Sequence, residues 1–300
     1  MDLGINIAGV ELKNPITTAS GTFSATDSSK FYDLNELGAM ITKGVANVPW
    51  DGNNTPRIAE TYGGMLNAVG LQNPGIDYFI EHELPFINTF DTKVIVNVAG
   101  RTIEDYCEVV EKLSDTNVDM LEVNISCPNV KKGGIGFGTD VELAGAVTRE
   151  VKKVSKKPII IKLTPNVTNI AEIAKAVEAE GADAISLINT LLGMKIDVNS
   201  FKPILANKMG GFSGPAIKPV AVRMVYQVRR AVNVPIIGLG GIMTGEDVAE
   251  FILAGADAVS IGTASFANPS APVDIKNEFI AYMNKHNFKN LSELRNAFVE

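Results

Sequence analysis

Cysteine is scarce in this 300-residue chain, which has two: Cys107 and Cys127. Two thiols cannot build a disulfide framework, a four-thiolate zinc site or an iron–sulfur cluster held by this chain alone. Positive charge is also in deficit. The formal net charge is -7, so no basic field draws nucleic acid or anionic lipid. No apolar run reaches the roughly 18–20 residues that cross a bilayer. The opening stretch, MDLGINIAGVELKNP, has no charged n-region followed by an apolar core, which excludes a secretory signal. These absences predict a cytoplasmic protein with no membrane or nucleic-acid partner and no metal site.

What remains is an ordinary globular composition, 46% hydrophobic and 20% charged. Short β-branched runs recur along it: PITTAS (15–20), AMITKG (39–44), KVIVNV (93–98), MLEVNI (120–125), PIIIKL (158–163), AISLIN (184–189), PIIGLG (235–240) and AVSIGT (258–263). Near-continuous apolar runs of this length suit parallel strands buried on both faces. Helical patterns lie between them: SSKFYDLNELG, TIEDYCEVVEKL, DVELAGAVTREVKKV, NIAEIAKAVEAEG, AIKPVAVRMVYQVRRAV and GEDVAEFILAGA. Cys107 falls within the second and reads as a small packing residue. The pattern predicts an α/β fold, a (β/α)8 TIM barrel forming a single domain over 1–300, with a doubly wound open sheet as the alternative. Two connections, 45–92 and 190–215, are long enough to build lids or pockets at the C-terminal face.

Barrel enzymes work at the C-terminal ends of their strands. Those ends here are Ser20, Lys43, Asn97, Asn124, Lys162, Asn189, Gly240 with Gly241, and Gly262 with Thr263. Two lysines and three asparagines at such ends would converge on one cavity. The glycines after the last two strands would let a phosphate approach backbone N–H groups, with the helix after GLGGIMT adding its positive end. A phosphate site beside lysines and amides suits flavin mononucleotide (FMN), and a sugar phosphate or nucleotide substrate fits the same charges. GGIGFG at 133–138 lacks the full G-x-G-x-x-G spacing, so it reads as a mobile loop rather than a nucleotide cradle.

In order along the chain, NPITTASGTF, ITKGV, NAVGLQNPG, NISCPNV, IKLTPN, the INT of 188–190, GGFSGPAIKP, GLGGI and IGTAS closely resemble the dihydroorotate dehydrogenase family. The resemblance implies one FMN per chain and oxidation of dihydroorotate to orotate in pyrimidine (UMP) biosynthesis. Cys127, where class 2 members carry serine, points to class 1; so does the absence of their N-terminal membrane-associating extension. NAVGLQNPG, with Val69 where class 1A has Met, resembles class 1B. That form implies NAD+ as acceptor and a partner subunit carrying FAD and a [2Fe–2S] cluster, around a homodimer core of a heterotetramer. The family pattern then implies FMN contacts from Ser20, Lys43, Gly44, Asn97, Asn124, Lys162, Ile188, Gly214, Gly240, Gly241, Gly262 and Thr263. Substrate contacts would come from Lys43, Asn67, Ala68, Val69, Gly70, Leu71, Asn124, Asn129, Asn189 and Thr190.

The implied chemistry removes a hydride from C6, to the flavin, and a proton from C5, to Cys127 as base. A free thiol has a pKa of about 8.5, so turnover should rise with pH until it ionises. Gly133, Gly134, Gly136 and Gly138 would hinge a lid over the substrate. The rivals are a fumarate-dependent class 1A enzyme, a phosphate-substrate barrel (an isomerase or an IMP dehydrogenase-like enzyme) and a non-catalytic flavin carrier.

Overall fold

Runs such as KVIVNV and PIIIKL have no polar face to offer water, so they fold where both sides are covered. The computed structural model describes residues 1–125 and 134–299. Eight runs form parallel strands: β1 Ile16–Thr18, β2 Ala39–Ile41, β3 Lys93–Val98, β4 Met120–Asn124, β5 Ile159–Lys162, β6 Ala184–Leu187, β7 Ile236–Leu239 and β8 Ala258–Ile261. They pair in chain order, and β8 pairs back onto β1 through Val259↔Ile16, Ser260↔Thr17 and Ile261↔Thr18. That pairing closes the (β/α)8 barrel and excludes the open sheet.

Helices Ile103–Ser114, Val141–Val154, Ile170–Ala179, Lys218–Arg229 and Gly245–Ala254 follow the 3.6-residue patterns. Thr102 with Asp105, and Thr244 with Asp247, form capping boxes that fix two of the helix starts. The main core lies between the barrel and these helices, joining residues such as Val96, Val123, Val147 and Ile161. A second core fills the barrel's lower end, where Ile41, Ile95, Met120, Ile160 and Ile237 stack in layers. A hairpin of Ile5–Ile7 and Val10–Leu12 plugs that end with Ile7 and Leu12. The chemistry is therefore left to the opposite, C-terminal end. Truncating one of these fully buried side chains to Ala costs about 2–5 kcal/mol.

Three local expectations differ. The predicted helix over 28–38 is instead a single turn, Ala25–Ser28, and a 3-10 turn, Leu34–Glu36. Asp33 Oδ1 accepts the Asn35 N–H at 2.9 Å, and such a side chain offers the backbone an alternative to the helix. GGIGFG reads as a loop, yet Gly134–Thr139 is helical. A Cβ at Gly138 would lie 2.7 Å from the Ile125 carbonyl oxygen, and Phe137 packs edge-on to Tyr106 at 6.0 Å. Gly138 thus serves close packing of this turn against β4. Finally, the two long connections fold together. Leu191–Met194, Met209–Ser213, Gly64–Asn67 and Ile58–Thr61 pair in that order as an antiparallel sheet over the barrel mouth. Among the described residues, no helix is long and apolar enough to cross a membrane.

Candidate active site

Strands that run in parallel all deliver their C-terminal ends to one rim. Lys43, Asn97, Asn124, Lys162 and Asn189 accordingly line a single cavity of about 1250 Å³ including its open mouth. Ser20, Gly44, Ile188, Gly214, Gly240, Gly241, Gly262 and Thr263 line it too. The lysine of β5 is 4% exposed, with Nζ 3.3 Å from Ser20 Oγ and 3.5 Å from Glu122 Oε2. Asn97 donates Nδ2 to Glu122 Oε2 at 2.5 Å, while its Oδ1 is buried with no partner among the described residues. A Cβ at Gly44 would meet that oxygen at 2.9 Å, so glycine keeps the space before it open. Asn189 Nδ2 donates to Asn124 Oδ1 at 3.3 Å and its Oδ1 accepts the Thr190 N–H at 2.8 Å, which ties the two amides together.

The glycine wall stands after β7 and β8. Gly240 and Gly241 have φ of 127° and 80°, and Gly214 has 109°, all left-handed conformations that favour glycine. The sequence predicts a share in anion binding for the helix Gly245–Ala254, and the structure corrects this: N–H groups at and just before its start are already taken, those of Gly245 and Asp247 included. Asp247 N donates to Thr244 Oγ1 (3.2 Å), Met243 N and Thr244 N donate to Asp247 Oδ2 (2.8 and 2.9 Å), and Gly245 N donates to Glu278 Oε2 (2.9 Å). Two carboxylates at this terminus oppose a phosphate there. The approach left open is the glycine backbone itself, with Gly262 and Thr263 leading into the turn Ala264–Ala267. Ser213 joins them by accepting from Thr263 Oγ1 at 2.8 Å.

Asn67, Val69, Gly70 and Leu71 reach the cavity from above. Their loop is pinned from behind. Asn73 Nδ2 donates to Leu71 O at 2.8 Å and its Oδ1 accepts from Ala46 N and Gly75 N. Asn53 N donates to Val69 O at 3.0 Å, and Arg57 bonds the carbonyls of Asn53 and Asp51 as well as the Gln72 side chain. Ala68 departs from the expectation. It is 1% exposed and packs with Ala59, Leu66 and Leu205 in a small core behind the loop, since successive residues of an extended strand end face opposite sides. Thr190 lines the cavity, held by Asn166 Nδ2 on its carbonyl at 3.0 Å. Cys127 and Asn129 lie outside the described residues.

Ser213, Met65 and Glu122 are among the contributors that the sequence does not announce as site residues. Ser213 and Met65 arrive on the antiparallel sheet, whose pairing no local pattern announces. Glu122 sits mid-strand in β4, where a charged residue in an apolar run was the available signal.

A family model described as dihydroorotate dehydrogenase matches residues 2–283. A protein of Alkaliphilus metalliredigens (strain QYMF), named dihydroorotate dehydrogenase B (NAD(+)), catalytic subunit, is 65% identical over 298 residues, covering 99% of each chain. Proteins with the same name from Alkaliphilus oremlandii (strain OhILAs) and Lachnoclostridium phytofermentans (strain ATCC 700394 / DSM 18823 / ISDg) are 61% and 59% identical. These cover 98% of this chain, and 97% and 98% of theirs. With its barrel, its polar strand ends and these end-to-end matches, the chain belongs to the dihydroorotate dehydrogenase family.

Proposed function

We propose that this chain oxidises dihydroorotate to orotate as the catalytic subunit of an NAD+-linked dihydroorotate dehydrogenase, with FMN in the barrel cavity. Electrons would pass to a partner subunit carrying FAD and a [2Fe–2S] cluster, and from there to NAD+. The observation that carries the reading is the convergence of Lys43, Asn97, Asn124, Lys162 and Asn189 on one cavity backed by a glycine wall. Relatives bearing that name match from end to end.

The residues present suit FMN. A flavin's pyrimidine edge alternates acceptors with one N–H donor. Asn97 Oδ1 is a buried acceptor with no donor among the described residues, and Lys162 supplies donors beside it. Gly214, Gly240 and Gly241 line the cavity with positive φ and pack so tightly on Gly64, Ala221 and Lys218 that no side chain fits, so this part of the wall offers backbone alone, as a phosphate tail requires. Ser20, Gly44, Asn124, Ile188, Gly262 and Thr263 would complete the hold. When bound, FMN supplies a two-electron acceptor for the hydride leaving C6 of the substrate.

The chain's own groups would do the rest. Lys43 would hold the substrate carboxylate by charge. Asn67, Asn124 and Asn189 would orient the ring through its amide edges, giving a fixed face to each reacting carbon. Cys127 would take the C5 proton, and Asn129 would add a further substrate contact. The sheet over the barrel mouth, carrying Asn67 and Val69–Leu71, would exclude water and strengthen every polar contact beneath it.

An absorption spectrum tests this directly. The purified chain should be yellow with a flavin spectrum, and anaerobic dihydroorotate should bleach it. A colourless protein, or a flavin that dihydroorotate leaves oxidised, would sink the reading.

A further inference from the structure

Glu122 is the least expected residue of the barrel interior. It projects from the middle of β4 and is fully buried. Three side chains converge on it, two from the adjoining strands and one from the strand beyond: Asn97 of β3 gives Nδ2 to Oε2 at 2.5 Å, Lys162 Nζ of β5 stands 3.5 Å from Oε2, and Ser186 of β6 gives Oγ to Oε1 at 2.8 Å. All three are donors, so a carboxylate satisfies each of them. A buried ionic group of this kind is weak evidence for stability, because well-packed apolar residues serve as well or better. Its two most polar neighbours, Asn97 and Lys162, both line the cavity.

The consequence for Asn97 is directional. A carboxylate only accepts, so the amide must turn Nδ2 toward it. Oδ1 is thereby held on the other side, against the space that Gly44 keeps clear. For Lys162 the consequence is electrostatic, since a negative charge 3.5 Å away in a dry interior offsets much of its field.

We propose that Glu122 is a positioning residue for the flavin site: it fixes the acceptor face of Asn97 toward the cavity and tempers Lys162, lowering the reduction potential of the bound cofactor. The inference rests on the FMN reading above. Glu122→Gln keeps the volume and removes the charge, and its new amide sets a donor against Asn97 or Ser186. Asn97 then turns its Nδ2 to the cavity.

The test is reductive titration of the purified full chain against a reference dye, together with FMN affinity measured by fluorescence. Glu122→Gln should raise the midpoint potential, because Lys162 is left uncompensated, and should weaken FMN binding about tenfold through the mispaired buried donors. Glu122→Asp, which keeps the charge on a shorter arm, should hold the potential close to wild type while weakening FMN binding. A folded Glu122→Gln with wild-type potential overturns the inference, as does an equal rise in both variants. If Glu122→Gln does not fold, Glu122→Asp decides: weaker binding at unchanged potential supports the role, and any other pattern overturns it. A wild-type chain that binds no FMN removes the cofactor reading and this inference together, whereas a yellow wild type with unresponsive variants removes this inference alone.

Discussion

A thiol works as a base or nucleophile only when its surroundings let it ionise, and Cys107 has surroundings that forbid it. It sits half-buried on the helix Ile103–Ser114, where burial pushes its thiol up and the carboxylates of Glu111, Glu150 and Glu104 push the same way against Lys153. Near neutral pH it stays protonated and inert. The proposed base, Cys127, needs only the few per cent of thiolate that a free thiol carries near neutral pH to react. Brief treatment with iodoacetamide near neutral pH, followed by peptide mapping, should find activity lost in step with alkylation of Cys127 while Cys107 remains unmodified. Cys107→Ser should keep wild-type turnover. Cys127→Ser should bind FMN and orotate almost normally yet lose most activity near pH 7, because a hydroxyl is a far weaker acid. The sign of the pH dependence follows from the same assignment: a base acts deprotonated, so wild-type turnover rises with pH and levels once the thiol is ionised. A flat profile, or full activity in Cys127→Ser, would remove Cys127 from that role.

The elements that hold the cavity are strand ends and turns, and the most demanding turn follows β7. A Cβ at Gly241 would lie 2.8 Å from Lys218 N and 2.9 Å from Gly214 O, on a residue whose φ is 80°. Strain of this kind costs on the order of 1–3 kcal/mol. Gly241→Ala should therefore lower the melting temperature by a few degrees and release FMN. Gly9→Ala, with a φ of 88° in the N-terminal hairpin away from the cavity and nothing within 4 Å of its added Cβ, should keep its flavin. Equal flavin content in the two variants would contradict the wall's assignment. The same contrast shows what a sequence discloses. KVIVNV and PIIIKL declare their strands because burial on both faces leaves a continuous apolar run, and polar residues closing such runs declare the rim. The sheet joining Gly64–Asn67 to Met209–Ser213 is silent, because its partners lie about 146 residues apart and neither alternates strongly. The inward packing of the Ala68 side chain is silent for the same reason: which side of a strand end faces the cavity depends on that pairing. The occupied N-terminus of Gly245–Ala254 hid in Glu278, a residue 33 positions away.

For the whole molecule, the question is where the electrons go. Oxidation of one dihydroorotate releases two electrons. This chain has two cysteines, too few for an iron–sulfur cluster, and no complete dinucleotide fingerprint for NAD+. A single bound flavin can accept one pair and then must be relieved. If the physiological acceptor is NAD+, relief has to come through another subunit; if it is fumarate, the same cavity that releases orotate can admit the acceptor. The two cases separate in one anaerobic experiment on the isolated chain. Dihydroorotate should reduce the flavin once, with one orotate formed per flavin, and neither NAD+ nor fumarate should reoxidise it. Adding the electron-transfer subunit should restore continuous turnover, with NADH appearing in step with orotate. Sustained orotate formation by the isolated chain with fumarate would overturn the NAD+-linked reading, because it would show that the cavity needs no second protein to discharge its electrons.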